Sequence, residues 1–210
     1  MSAERKGSVL EDRLVAYAAT LPEGHILAAK ALPQFGARAV VTRSLSQLVR
    51  HGRLLRVGRG LYVLSAQGRF GERPPTVESV IRCFSAHSRA TVVRSGAAAA
   101  NVLGLTTQTP VRHVYLTSGR SRQLQIGRQC VELQHAPSWR LAFSDSTAGD
   151  AIRALAWLGP EHARSALEVL RHRLPDSAFE EMAAVKRLPT WLRRLLEGRG
   201  LGALSGGRTP

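Results

Sequence analysis

One stretch constrains the fold of this chain more than any other, because a helical pattern passes directly into a hairpin pattern. It covers residues 37–64 and reads ARAVVTRSLSQLVRHGRLLRVGRGLYVL. Apolar residues first recur at helical spacing and predict one buried helix face, formed by Val41, Leu45, Leu48 and Val49. Gly52 ends the predicted helix, because glycine adopts a left-handed conformation at little steric cost. Beyond it, apolar and polar residues alternate on both sides of Gly58-Arg59-Gly60, which predicts two strands joined by a tight turn.

The segments before this stretch complete a familiar order of elements. Ser8 is suited to cap a first helix, which Pro22-Glu23-Gly24 ends. His25-Ile26-Leu27 predicts a short strand able to pair with the hairpin, and Ala28–Gln34 predicts a second short helix. A helix, a short strand, two further helices and a hairpin form a winged helix-turn-helix, in which the hairpin is the wing. We place this domain at residues 5–66.

Polar side chains on the helix and the wing predict contacts with DNA. Arginine can bridge guanine O6 and N7, glutamine can bridge adenine N6 and N7, and threonine can meet a phosphate or a thymine methyl. We expect the helix to enter the major groove through Arg38, Thr42, Arg43, Gln47 and Arg50. We expect Arg56 and Arg59 on the wing to contact backbone phosphate or the minor groove. The alternatives are a solvated helix face and an ordinary charged hairpin edge, which resists aggregation.

The charge of the whole chain favours a polyanionic partner. Lys and Arg number 30 against 15 Asp and Glu, so the net charge is +15. Such a surplus is typical of proteins that bind nucleic acid. The positive charge is densest in residues 1–73, which agrees with DNA contact by the predicted winged helix.

Composition changes along the rest of the chain and predicts further segments. Polar residues with Gly and Pro predict a linker at residues 67–75. Residues 76–145 mix helix and strand patterns and predict a small α/β domain, and residues 146–197 predict helices separated by prolines. The Gly-rich residues 198–210 predict a disordered tail. The predicted fold class is α+β, an N-terminal winged helix-turn-helix followed by a small α/β domain with a helical C-terminal tail.

Patterns typical of enzymes and metal sites are missing from the sequence. Cys83 and Cys130 form no CxxC pattern, the histidines lack metal-ligand spacing, and no phosphate-binding glycine loop or nucleophile motif occurs. We therefore predict no catalytic residue, no metal and no cofactor, and a protein that is not an enzyme. A nuclease targeted by the winged helix is the enzymatic alternative, through Glu132, Asp145 and Asp150. Strand-edge polarity and a helix N-terminus explain these carboxylates more simply.

The sequence also bears on localisation. The N-terminus has no apolar signal core, the cysteines form no disulfide framework, and no apolar run is long enough to cross a bilayer. We therefore expect a cytoplasmic protein without a membrane partner.

Two sets of residues resemble a known family. The first is Ser44–Gly52 followed by Leu55-Arg56-Val57, Arg59-Gly60 and Leu61-Tyr62. The second is Ser95-Gly96, Ala100-Asn101, Leu103-Gly104-Leu105, Thr107-Gln108, Pro110 and Val114–Gly119. In this order they resemble the AbiEi-like antitoxins of type IV toxin–antitoxin (abortive infection) systems. The similarity covers roughly residues 10–135.

The resemblance implies a function that spacing alone does not predict. It implies a DNA-binding antitoxin that represses its own operon by binding repeats in the promoter. It also implies that the protein counteracts a neighbouring nucleotidyltransferase-like toxin without being an enzyme itself. The expected partners are double-stranded DNA and that toxin. The alternative is a stand-alone winged-helix transcriptional regulator whose α/β domain binds a small ligand.

Overall fold

The computed structural model describes residues 9–69, 71–108 and 111–198. The chain divides into two compact units. The first comprises Met1–Ala90 and Arg122–Glu132, and the second comprises Thr91–Ser121 and Leu133–Pro210. Helices and small sheets together form an α+β fold with a helical C-terminal part, as predicted.

The first unit begins with the predicted order of elements. These are α1 (Val9–Ala19), two 3₁₀ turns (Ala29–Ala31 and Pro33–Phe35), α2 (Arg38–Arg50), β1 (Leu54–Gly58) and β2 (Leu61–Leu64). The predicted short strand is a single bridge, in which the backbone N–H groups of Leu27 and Tyr62 donate to each other's carbonyls over 2.8 and 3.0 Å. The single short helix predicted at Ala28–Gln34 is instead two 3₁₀ turns. Pro33 lacks an N–H and restricts the residue before it, so the chain makes two separate 3₁₀ turns.

Side chains of α1, α2 and the wing, which is the hairpin of β1 and β2, share one core. Val41, Leu45 and Leu48 are buried on one face of α2, as their spacing predicts, while Val49 is half-buried beside them. They pack with Leu14, Leu27, Leu32, Leu54 and Tyr62. Burial of this apolar face holds α2 in place, because helical stability in proteins comes mainly from such packing.

Residues beyond the wing form a second hairpin. In it β3 (Ala66–Gly68) and β4 (Gly71–Arg73) run antiparallel, with Ala66 opposite Arg73. The Arg73 guanidinium donates to both carboxylate oxygens of Glu23 over 3.0 Å, and the Thr76 N–H donates to the same carboxylate over 2.8 Å. These hydrogen bonds lower the pKa of the Glu23 carboxyl, and the hydrogen bond from Arg73 has the largest effect. The prediction of a linker at residues 67–75 is therefore wrong, because a partner distant in sequence anchors this segment.

The helix that follows also packs into the first unit. It is α3 (Val77–Ser88), and the Thr76 hydroxyl caps it by accepting from the Ser79 N–H over 3.2 Å. Gly24 approaches it closely, since a Cβ atom on Gly24 would lie 2.7 Å from the backbone nitrogen of Val80. The sequence predicts a domain boundary between residues 5–66 and residues 76–145. The chain does not divide there, because α3 packs into the same unit as α1, α2 and the wing.

A hairpin that comes later in the sequence also packs in the first unit. Its strands are β7 (Arg122–Ile126) and β8 (Gln129–His135), joined by a turn at Gly127-Arg128. Strand β7 contacts β1, where a Cβ atom on Gly58 would lie 3.5 Å from Cδ2 of Leu124. The place of this hairpin beside the wing depends on tertiary packing, so local sequence does not indicate it.

The second unit combines a strand pair with a cluster of helices. Its elements include β5 (Val92–Arg94), α4 (Gly96–Val102), β6 (His113–Thr117), a 3₁₀ turn (Ser138–Arg140), α5 (Thr147–Arg171), α6 (Asp176–Ala183) and α7 (Thr190–Glu197). Strands β5 and β6 are antiparallel, with Val93 opposite Leu116. Ser95 caps α4, and α5 kinks at Gly159 just before Pro160. Alanine, isoleucine and leucine residues of α5 pack with apolar residues of α6 and α7 to form the helical core.

Two remaining sequence predictions concern chain ends and membranes. Of the predicted disordered tail, residues 199–210 lie outside the described residues, as does the predicted cap at Ser8. Among the described residues, none of the helices has the length and apolar character required to span a bilayer.

Candidate nucleic-acid interface

The outer face of α2 is basic. Successive helix residues are about 100° apart, so Arg43 and Arg50 lie opposite the buried Val41, Leu45 and Leu48. Both arginines are exposed. Gln47 is half-buried at one border of this face, next to Val40, an exposed apolar residue. Thr42 is exposed at the other border, whereas Arg38, in the first turn of the helix, is exposed on the side of Leu45 and Val49. Helical spacing thus brings Arg43, Gln47 and Arg50 onto one accessible surface, with Thr42 at its border and Arg38 outside it.

The exposed arginines of α2 have no intramolecular partners among the described residues. Within the described parts of the chain, the guanidinium groups of Arg38, Arg43 and Arg50 form no hydrogen bond or ion pair. Each presents several N–H donors in a planar arrangement suited to phosphate and to guanine. By contrast, the Thr42 hydroxyl donates to the Arg38 carbonyl over 2.7 Å, so only its lone pairs and its methyl group stay available.

The wing extends from the end of this helix. Arg59 is exposed at its tip, where Gly60 has a φ of 70°, a conformation that favours glycine. The strand register shifts between Arg56 and Gly58, and the Arg56 Nε donates to the Gly58 carbonyl over 3.4 Å. Arg56 is therefore turned towards the tip, and both wing arginines are accessible to an external anion.

Buried contacts fix the position of α2 relative to the rest of its unit. The Tyr62 and Ser46 hydroxyls lie 3.4 Å apart and connect the wing to the helix. At the C-terminal end of α2, His51 Nδ1 lies 3.4 Å from the buried carboxylate of Glu11 on α1. Such anchoring is what a recognition element needs, because a rigid helix loses less conformational freedom on binding.

Basic groups dominate the electrostatics of the first unit. The pKa of His87 is lowered, first by burial and then by the positive charges of Lys30 and His25. Two of the nearby carboxylates have basic partners, since Glu23 binds Arg73 and Glu11 contacts His51. The exposed arginines of α2 and the wing are therefore not neutralised by these acids.

One basic residue on this unit was not predicted. The Arg122 guanidinium on β7 lies over the Phe84 ring, 5.4 Å from its centroid. The sequence does contain one signal, since no Asp or Glu occurs between Glu78 and Glu132. That signal indicates a basic region but does not indicate which side chain lies near the wing.

Carboxylates considered for a nuclease have other contacts. Asp150 binds the Arg153 guanidinium over 2.8 Å and the Arg94 guanidinium over 3.4 Å. Across residues 9–69, 71–108 and 111–198, no cluster of three or more His, Cys, Asp or Glu side chains could hold a metal ion.

Comparison with other proteins adds two similarities. A family model described as "Family of unknown function (DUF6088)" matches residues 13–174. The crystal structure of the RV2827C protein from Mycobacterium tuberculosis is similar at 15% sequence identity and a TM-score of 0.46, covering 94% of this chain and 84% of that chain. No curated protein matches the chain.

Proposed function

This chain belongs to the DUF6088 family, whose function is unknown, and we propose from its own side chains that it binds double-stranded DNA in a sequence-specific manner. In this proposal α2 occupies the major groove and the wing contacts the adjacent backbone. The observation that carries it is the outer face of α2, where Arg43 and Arg50 are exposed and have no partner among the described residues.

In this proposal the residues of the outer face of α2 and of the wing have separate roles. Arg43 and Arg50 lie at its centre, from which an arginine reaches a base edge most directly. Gln47 has the amide required to bridge adenine, and the exposed Val40 beside it offers an apolar contact to a thymine methyl group. Arg56 and Arg59 on the wing supply phosphate contacts, which fix the register of the helix on the duplex.

A binding titration with the full chain tests this proposal. The duplex upstream of the gene is compared with a random duplex of equal length by gel shift, at several salt concentrations. We expect tighter binding to the upstream duplex, with affinity that falls steeply as salt rises, because each neutralised phosphate releases counterions. Equal affinity for the two duplexes would refute sequence-specific binding.

Substitutions on the helix and the wing should have different effects. Arg43→Ala is expected to cost about 1–3 kcal/mol on the upstream duplex and to relax base preference. Arg59→Ala is expected to weaken binding to both duplexes alike and to make the salt slope shallower by about 1. Arg164→Ala, at an exposed position of α5, serves as the charge-matched control. The role assignment fails if both interface variants lose affinity equally for upstream and random DNA.

The biological role follows from the resemblance to AbiEi-like antitoxins. We propose that binding to its own promoter makes the protein a repressor of its operon. We further propose that it counteracts a nucleotidyltransferase-like toxin encoded beside it. Co-expression with the product of the neighbouring gene tests the second statement, since growth should be restored only when the full chain is present. Continued growth arrest in its presence would leave DNA binding as the proposed function and remove the antitoxin role.

A further inference from the structure

Strand β7 lies beside the wing, although many residues separate the two in sequence. Resting on the proposed DNA-binding function, we propose that Arg122 is an additional phosphate-binding residue, held next to the wing tip by the β7–β8 hairpin. It would contact the backbone of the same duplex that α2 and the wing engage. The argument depends on the direction of β7, on the environment of Arg122 and on the local charge.

Two contacts establish the direction of β7 relative to the wing. Near the wing tip, Gly58 faces Leu124, since a Cβ atom there would lie 3.5 Å from the leucine Cδ2. At the other end, a Cβ atom on Gly127 would lie 2.6 Å from Pro74. Pro74 follows Arg73, which pairs with Ala66 just past the end of β2, so it lies at the base of the wing. Strand β7 therefore runs from the wing tip towards its base.

This direction places Arg122 at the end of β7 that is closest to the wing tip. It precedes Leu124 by two residues, a separation of about 7 Å along a strand. Since Leu124 lies beside Gly58, Arg122 lies near the level of the turn that carries Arg59. Arg128, in the turn that follows β7, lies at the opposite end, near the base of the wing.

The environment of Arg122 suits a phosphate contact. Its guanidinium lies over the Phe84 ring, 5.4 Å from the centroid, and the side chain is exposed. Within the part of the chain that the structure describes, it has no carboxylate partner. Stacking on an aromatic ring restricts the guanidinium while leaving its N–H edges free to donate. A preorganised, uncompensated arginine is the kind of group that binds a backbone phosphate.

The local sequence strengthens the inference. No Asp or Glu occurs between Glu78 on α3 and Glu132 on β8, so the neighbours of Arg122 along the chain add only positive charge. A DNA backbone that approaches the wing tip would therefore meet no acidic side chain from β7. This absence of repulsion matters, because the approach of a polyanion is governed by the summed charge of the surface.

Three variants of the full chain test the assignment by titration with the upstream duplex and the random duplex. Arg122→Gln removes the charge but keeps a side chain of similar length, and we expect roughly 3- to 10-fold weaker binding to both duplexes. The salt slope should become shallower by about 1. Arg122→Lys should restore most of the salt slope, because it restores the charge. Arg128→Gln, in the same hairpin but near the wing base, should bind within about twofold of the unchanged protein.

The outcomes distinguish this inference from the proposed function. If the unchanged protein binds DNA and Arg122→Gln binds equally well, the Arg122 assignment is overturned while the proposed function stands. Equal losses for Arg122→Gln and Arg128→Gln also overturn it, because they would indicate a diffuse effect of charge. If the unchanged protein binds neither duplex, the proposed function fails and this inference fails with it. Circular dichroism spectra that match those of the unchanged protein ensure that each variant is folded.

Discussion

Replacing Arg153 with methionine is expected to lower the free energy of unfolding by about 3 kcal/mol, at the lower end of the range for breaking a buried ion pair. Arg153 is only 2% exposed, and its guanidinium donates to the Asp150 carboxylate over 2.8 Å. It also donates to the Arg140 and Ala142 carbonyls over 3.3 and 3.4 Å. Methionine fills much of the same space but leaves these acceptors without their donor. The loss is moderated because Asp150 keeps its contact with Arg94.

Urea unfolding monitored by tryptophan fluorescence measures this effect. All of the tryptophans, Trp139, Trp157 and Trp191, belong to the second unit, so the signal reports on the unit that contains Arg153. Arg164→Met, at an exposed position of the same helix, is the matched control and should change stability by less than about 0.5 kcal/mol. An Arg153→Met variant as stable as this control would show that the buried guanidinium contributes no net stability.

Substituting Gly24 with alanine is the second change expected to have a large effect, about 2–5 kcal/mol of lost stability. Gly24 has a φ of 81°, and a left-handed conformation costs a residue with a Cβ atom about 1–2 kcal/mol. The added Cβ would also lie 2.7 Å from the backbone of Ser79 and Val80, and relieving such overpacking costs about 1–3 kcal/mol. The loop after α1 would then have to separate from α3.

Gly52→Ala separates these two contributions. Gly52 has a φ of 73°, nearly the same as Gly24, but a Cβ atom there would have nothing within 4 Å among the described residues. The Gly52→Ala variant should therefore lose only the stability that the left-handed conformation costs, about 1–2 kcal/mol. Thermal unfolding followed by circular dichroism gives both values. If Gly24→Ala and Gly52→Ala are equally destabilised, the close packing between Gly24 and α3 has no energetic importance.

The sequence predicts this fold best where the interactions are local. Helix α2 was recognised because Val41, Leu45 and Leu48 recur within one helix, and the wing because its strands flank a glycine turn. The sequence predicts a linker after the wing, because polar composition is the only feature that the local sequence of this segment offers. Its anchor is Glu23, which precedes Arg73 by fifty residues, and composition cannot indicate such a pairing.

The same distinction between local and long-range interactions applies to the candidate site. Helical periodicity suffices to place Arg43 and Arg50 on one outward face, since that geometry depends on α2 alone. The position of Arg122 depends on the packing of β7 against β1, so its proximity to the wing emerges only from the tertiary structure. Likewise, Arg153 carries no sequence sign of burial, because arginine is among the residues that are rarely fully buried.

The discontinuity of the first unit sets an order of events during synthesis. Its chain is interrupted after Ala90 and resumes at Arg122, so the unit is complete only once Glu132 has been added. At about 5–20 residues per second, translation needs roughly 2–8 s to travel from Ala90 to Glu132. During that interval β1 and Gly58 lack the strand that packs beside them, and apolar surface stays uncovered. A nascent chain therefore completes its first unit late, after the strand pair β5 and β6 of the second unit has already been translated.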